Sequence, residues 1–424
     1  MWIIVAGFVL ATLLVAWLLF GYVIWLRFTG DGREPIEVGP PRHFPTISVV
    51  IPCLNEGKLI REKYTDLCAS NYAREKLELI FADGGSDDGT MQSLEDLALT
   101  DAGVRVVACP RRGKINQINH VLPSLKGELV LVTDADARIA PDALTWMAAE
   151  FEADPETAVV GAHTAPRGGI SVERCYWTAQ NRVRLLESRI GHVSMVMACC
   201  YAFRRSLLKT FPEDVVADDV YIAALANTLG YHTKYSARAV VEELRVPQTL
   251  PDFFRHKFRK GNAVLREYLR FCYRLPDLET RWKSILGTRI VQQLLLPWGT
   301  ALWLTLAVTL LNLRQIDVPC MGAAVLLVGL LATRKATMSV TPPGGAERFG
   351  AVTLTLAYVY TMAVLCANAL TYASFRQSSC YSRLGRTIRR SEHPWAEIVR
   401  PPWSEAPSSL PAVPTGCAAL GAIE

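Results

Sequence analysis

The sequence predicts a mostly parallel α/β domain held between apolar helices at its two ends. Three observations lead there. Residues Met1 to Leu26 carry no charged side chain, a stretch that fits the ~20 apolar residues needed to cross a bilayer. From Ile47 to about Leu269, short β-branched runs alternate with helical patterns, and such alternation builds a parallel sheet covered on both faces. After Arg281 the chain turns apolar again, at Ile290 to Leu313, Val318 to Thr333 and Phe349 to Ser374.

A secretory signal would open with a basic region, and no basic residue precedes Arg27. Residues 1–26 therefore read as an uncleaved anchor. Arg27, Arg33 and Arg42 follow, within or beside a Pro/Gly-containing linker over residues 27–46, and the positive-inside rule puts the next domain in the cytoplasm. That domain spans residues 47–269. Its expected strands are ISVVI (47–51), LELIFAD (77–83), VRVVA (104–108), ELVLVTD (128–134) and AVVGAH (158–163). Helical patterns fall near 58–69, 116–125 and 141–152.

Residues 270–375 form a membrane region with two to three crossings. Four spans in all would place both termini outside. Yet Arg376, Arg383, Arg386, Arg389 and Arg390 follow the last span, and such a cluster prefers the cytoplasm. One C-terminal apolar segment is thus expected to lie in the interface or fail to cross, with the short Val318 to Thr333 stretch the first suspect. Residues 376–424 make a basic, then Pro/Ser-rich tail whose composition after Pro401 favours disorder.

Composition excludes several classes. The net charge of +5 is mild, and no arginine-rich, aromatic-interleaved stretch suggests nucleic acid. Eleven cysteines include no CxxC pair, so reduced, packed thiols are expected. Seven scattered histidines do not supply the paired spacing of a zinc site.

The chemistry concentrates in five motifs. In open parallel sheets, ligands bind outside the carboxyl ends of the strands, where Asp83 and Asp134 fall. FADGGSDDGT (81–90) lacks the helix that would precede a calcium loop, and reads either as an Asx-rich turn or as a strand tip whose carboxylate accepts from a pyrimidine imide. RRGKINQINH (111–120) has Lys114 opening a helix, a place suited to anions; Ile115 stands where a phosphate loop needs Ser or Thr. Asp134-Ala-Asp136 puts two carboxylates on one side of a strand, and Mg²⁺ binds through one or two carboxylates plus substrate phosphates. Asp218 and Asp219 open a helix, where one of them can serve as a cap. FFRHKFRKGN (253–262) strings together Arg255, Lys257, Arg259 and Lys260, a set that alone would suit anionic lipid.

In this order and spacing, the pieces resemble the family 2 glycosyltransferases, in particular the membrane-bound cellulose-synthase-like group. The resemblance covers roughly residues 47 to 265. VVIPCLNE (49–56) looks like the family's opening strand and turn. It implies a GT-A fold, Rossmann-like, cytosolic and anchored by transmembrane helices at both ends. It further implies that Asp83 contacts uracil, that Lys114 and Asn119 match the family's GK and N, and that Asp134 and Asp136 hold the nucleotide and a divalent metal, Mg²⁺ or Mn²⁺. Asp219 matches the catalytic base, with Asp218 beside it. The family's QxxRW becomes His256-Lys-Phe-Arg259-Lys260: the arginine stays, with histidine and lysine in place of glutamine and tryptophan. Arg259 would then face the nucleotide-sugar, and His256 the acceptor side.

The implied reaction is inverting transfer from a UDP-sugar to a glycan or lipid acceptor at the cytoplasmic membrane face, in exopolysaccharide or glycolipid synthesis. Membrane lipids are expected partners. The alternatives are a glycolipid transferase with a ceramide- or polyprenyl-type acceptor, and a non-catalytic membrane scaffold.

Overall fold

The computed structural model describes residues 1–30, 38–338 and 347–374. Arg33, the arginines from 376 on and the Pro/Ser-rich stretch lie outside these. At the start, α1 (Trp2–Ala16) passes through a π-helical turn (Trp17–Gly21) into α2 (Tyr22–Gly30).

The α/β domain begins with β1 (Ile47–Cys53), α3 (Gly57–Cys68), β2 (Leu77–Asp83), α4 (Thr90–Thr100), β3 (Val104–Ala108), α5 (Lys114–Val121) and β4 (Leu129–Thr133). These four strands pair in parallel, in the order β3-β2-β1-β4. The apolar runs of β1, β2 and β4 are buried on both faces, as a sheet sandwiched between helices demands, while the edge strand β3 is half-buried.

Beyond β4 come β5 (Ala137–Ile139), α6 (Ala143–Ala153), β6 (Thr157–Pro166), α7 (Ser171–Arg189), β7 (Cys200–Arg204), α8 (Asp218–Thr228) and β8 (His232–Glu243). They extend the sheet to eight strands as β4-β7-β6-β8-β5. β7 runs antiparallel to both neighbours, and β5 runs antiparallel to β8. The sequence reading lacks β5, β7 and β8. β5 is only three residues long, and the pairing of β7 is fixed by partners distant in the chain.

The remaining helices are α9 (Leu250–Arg270), α10 (Thr280–Asn312), α11 (Asp317–Met338) and α12 (Ala351–Thr371). Four stretches, 2–30, 280–312, 317–337 and 351–371, are long and apolar enough to cross a membrane. Contacts divide them into two kinds. α10 climbs against α1 and its π turn: Gln292 donates to the Leu18 carbonyl (2.7 Å), and Trp303 Nε1 donates to the Thr12 hydroxyl (2.9 Å). α11 descends beside α1, with Gly322 against Phe8 and Gly329 against Phe20, where any side chain would collide with the rings. α10 thus runs antiparallel to α1, and α11 runs beside α1 in the same direction.

α12 behaves differently. Near its start Thr353 meets Ser171 of α7 at 3.4 Å, and Tyr360 packs edge-on against Phe253 of α9. Near its end Asn368 abuts Gly261, two turns further along α9. Both ends of a helix ~30 Å long therefore touch the α/β domain. α12 packs on α10 as well, where the Tyr358 and Thr300 hydroxyls meet at 3.2 Å, and the 318–333 stretch falls within α11, beside α1. The pairing of α12 with α9 depends on tertiary contacts.

The bundle is tied to the domain by Glu187, fully buried at the end of α7. It accepts from Tyr22 Oη of α2 (2.5 Å), Arg289 of α10 (2.8 Å) and the Ser194 hydroxyl (2.8 Å).

Candidate active site

The sheet's carboxyl edge and the inner faces of α7, α9 and α12 enclose a cavity of about 1320 Å³. Its walls bring together Lys114, Asp134, Asp136, Asp218 and Asp219, and add His256 and Arg259 from α9.

Asp134 leaves β4 in a turn. Its N–H donates to the Cys199 carbonyl (3.1 Å), and its own carbonyl accepts from Ala137 N–H (3.2 Å). The turn aims the two motif carboxylates at different cations. Lys114 Nζ reaches Asp134 at 2.9 Å, while Arg245 reaches Asp136 at 3.2 Å and clamps Glu56 at 2.5 and 2.9 Å. Each acid of the DxD thus has its own positive partner. Arg245 and Glu56 escaped the sequence reading. The available signal was their position, just past β8 and just past β1 at the ligand-binding edge.

Lys114 sits at the first position of α5, released by Gly113 at φ 112°, in the left-handed half of backbone space that glycine tolerates. Its ammonium also donates to Asp218 (3.1 Å) and to the Ala198 carbonyl (2.9 Å). Burial opposes the charge, but Asp134 and Asp218 outweigh it and hold the amine well above its ordinary range. Asp218 accepts the Tyr201 hydroxyl at 2.7 Å. It makes no side-chain cap on α8, whose N-cap is Ala217. The cap role allowed by the sequence gives way to a buried ion pair, because the cation arrives from a strand-helix unit a hundred residues earlier.

Asp219 is buried beside this pair. Burial first, and then the Asp218 charge, push its carboxyl up to about 6, against the pull of Lys114, Lys260 and Arg184. A carboxyl balanced near neutrality on a cavity wall is equipped to accept a proton. Asp136 is also pushed up to about 6, by burial and then by Asp134, with Arg245 opposing. A carboxylate raised by a like charge welcomes a cation. Among the described residues no three His, Cys, Asp or Glu side chains converge to hold an ion. An ion at Asp136 would therefore complete its shell from a bound diphosphate, as Mg²⁺ commonly does.

Asp83 lies apart. It ends β2, buried, and its carboxylate accepts from the Gly85 and Ser86 N–H groups (2.9 and 3.0 Å) and from the Ser86 hydroxyl. It closes its own turn and does not line the cavity. Asn119 clamps the backbone of Phe211, donating and accepting at 2.8 Å.

α9 starts at Thr249, whose hydroxyl caps Asp252 N–H (3.2 Å). Its basic string is divided, with Arg255 exposed and paired to Asp252 (3.0 Å) and the rest turned inward to differing degrees. Lys257 is buried, donating to Glu173 (2.8 Å) with its ammonium 4.3 Å from the Tyr176 ring centre; Lys260 pairs with Glu243 (3.2 Å). His256 is buried with neither ring nitrogen hydrogen-bonded. Burial, then Lys260, Lys257 and Arg259, hold it well below its ordinary range, so the ring is neutral. A tryptophan does stand beside the string, but it is Trp177 of α7, hydrogen-bonded to Glu173 at 2.8 Å.

Residues 48–211 match the family model described as Glycosyl transferase family 2. The chain carries a family 2 glycosyltransferase domain. An N-acetylglucosaminyltransferase of Sinorhizobium fredii is 25% identical to the chain over 254 residues, 55% of this chain and 61% of the relative. A poly-beta-1,6-N-acetyl-D-glucosamine synthase of Staphylococcus epidermidis is 24% identical over 272 residues, 62% of this chain and 65% of the relative. The chain thus spans about three-fifths of the length of the curated relatives it matches. A mannosyltransferase of Pyrobaculum calidifontis, solved with GDP-Man and Mn²⁺, superposes with a TM-score of 0.65 at 23% identity, covering 88% of this chain and 99% of that one. That likeness of fold is too extensive for the glycosyltransferase domain alone and runs on into the apolar helices.

Proposed function

We propose that the protein transfers a sugar, with N-acetylglucosamine the first candidate, from a UDP-sugar to a glycan or lipid acceptor, inverting the anomeric centre. The names of the curated relatives support the choice of sugar. The observation that carries the reaction is Lys114, whose ammonium joins Asp134 on the nucleotide side to Asp218 on the acceptor side, with Asp219 adjacent. Asp219 takes the acceptor's hydroxyl proton as that oxygen bonds to the anomeric carbon and the bond to the diphosphate breaks. Lys114 and Arg259 face the charge that develops on the leaving diphosphate. Asp136 would hold Mg²⁺ or Mn²⁺, which supplies further positive charge to the diphosphate. Asp83 keeps the turn that frames the base end of the site.

For the membrane we infer three crossings, by α1–α2, α10 and α11, and the contacts of α12 with α7 and α9 support a place for it along the domain. With the domain on the cytoplasmic side, three crossings bring the chain after α12 to the cytoplasm, in accord with the arginines that follow.

The test is the full-length protein offered UDP-GlcNAc, other UDP-sugars and GDP-Man, with released nucleotide as readout. UDP release that depends on Asp219 supports the reading. Release of GDP alone overturns the donor, and no release from any donor overturns the activity.

A further inference from the structure

The cavity has a second charged focus, on the wall formed by the apolar helices. Arg182 of α7 and Arg334 of α11 both line it there. The two guanidinium groups interact: burial first, and then the Arg334 charge, lower the Arg182 pKa from its ordinary value. Arg182 Nε is buried with no hydrogen-bond partner. Among the described residues, neither guanidinium is paired with a carboxylate. Four other cations of the cavity, Arg245, Lys257, Lys260 and Arg289, are paired to glutamates. Two facing cations repel each other unless an anion lies between them, and paired guanidinium forks suit phosphate.

The surroundings identify what carries that phosphate. Leu330 and Leu331 lie four and three residues before Arg334, on the same face of α11, and both are exposed and line the cavity. Because α11 descends toward the domain, these leucines lie deeper in the apolar layer and the guanidinium at its border. Leu354 and Leu365 of α12 line the cavity as well.

We infer that Arg182 and Arg334 clamp the phosphate of a lipid acceptor, with its hydrocarbon chain against Leu330, Leu331 and α12. The reaction step rests on the transferase reading above; the lipid site itself does not. The acceptor is an amphiphile whose phosphate-bearing head also carries a free hydroxyl. That hydroxyl oxygen bonds to the anomeric carbon, the bond from the anomeric carbon to the UDP oxygen breaks with its electrons passing to the diphosphate, and the proton goes to Asp219. The products are the lipid glycoside and UDP.

The test uses the full-length protein in a non-ionic detergent, titrated with dodecyl phosphate, dodecanol or inorganic phosphate, with UDP binding measured alongside. Dodecyl phosphate is expected to bind saturably, and each of the other two at least about tenfold more weakly, the scale of a charge-assisted contact. The R182Q/R334Q variant should lose dodecyl phosphate and keep UDP. Arg334→Gln alone, at an exposed position, should lose about tenfold and carries the test if the double variant does not fold. Equal binding of dodecanol, equal binding of inorganic phosphate, or unchanged affinity in the variants overturns the lipid site. Dodecyl phosphate binding with no nucleotide released from any donor retains the site and overturns the transferase reading. Nucleotide release without dodecyl phosphate binding does the reverse.

Discussion

Lys114 and Asp218 form an ion pair at 3.1 Å, with the carboxylate only 3% exposed. Removing one member of a buried pair is strongly destabilising, because the other is left without its compensating charge. Asp134 still holds Lys114 when Asp218 is neutral, so Asp218→Asn should cost ~3 kcal/mol, the low end of that range. Chemical unfolding measures it. A loss of only ~1 kcal/mol, the size of a helix cap, would mean that the pair is not formed.

Asp219→Asn keeps shape and removes the proton acceptor. Turnover should fall by ~10²–10⁴, the usual worth of a general base. Calorimetric UDP affinity should barely move, because the groups assigned to the nucleotide are other residues. A variant that turns over normally would exclude Asp219 as the base.

Acid should separate activity from stability. The folded-state pKa of Asp219 is about 6, above the ~3.9 of an unfolded aspartate. As pH falls through 6 toward 4, the folded state takes up the proton first, so this residue adds stability in that window and withdraws it as pH rises. The base is meanwhile lost, so the rate declines over the same range. A pH–rate profile, with melting curves of wild type and Asp219→Asn, checks both signs. Wild type should gain on the variant toward acid.

Chelation should abolish nucleotide release, since two carboxylates facing a diphosphate would otherwise add repulsion. Asp136→Asn should weaken UDP binding in the presence of Mn²⁺ and flatten the dependence on metal concentration. Full turnover in excess chelator would sink the metal assignment.

Three crossings predict opposite labelling of two cysteines. Cys320, exposed near the start of α11, should react with an impermeant maleimide applied to intact cells. Cys380, beyond the described residues, should react only after permeabilisation. Outside labelling of Cys380 would require α12 to cross.

Much of this was legible from local pattern. β1 to β4 and β6 are β-branched runs between turn residues, and Asp134, Asp136 and Lys114 fall where strand ends and a helix start must meet. Partners were not legible. Asp218 looks like a cap because carboxylates at helix starts usually are, and only the fold delivers Lys114 to it. Arg245 with Glu56, and Lys257 with Glu173, join residues far apart in sequence, so no periodicity encodes them. For α12, hydropathy reports that lipid suits the helix but gives no orientation.

α1 and α11 pack in direct contact, Gly322 against Phe8 and Gly329 against Phe20. Helices meeting this closely have axes ~8–10 Å apart. A side chain larger than hydrogen at either glycine would wedge the two apart and carry with it the part of the cavity wall formed by Leu330, Leu331 and Arg334.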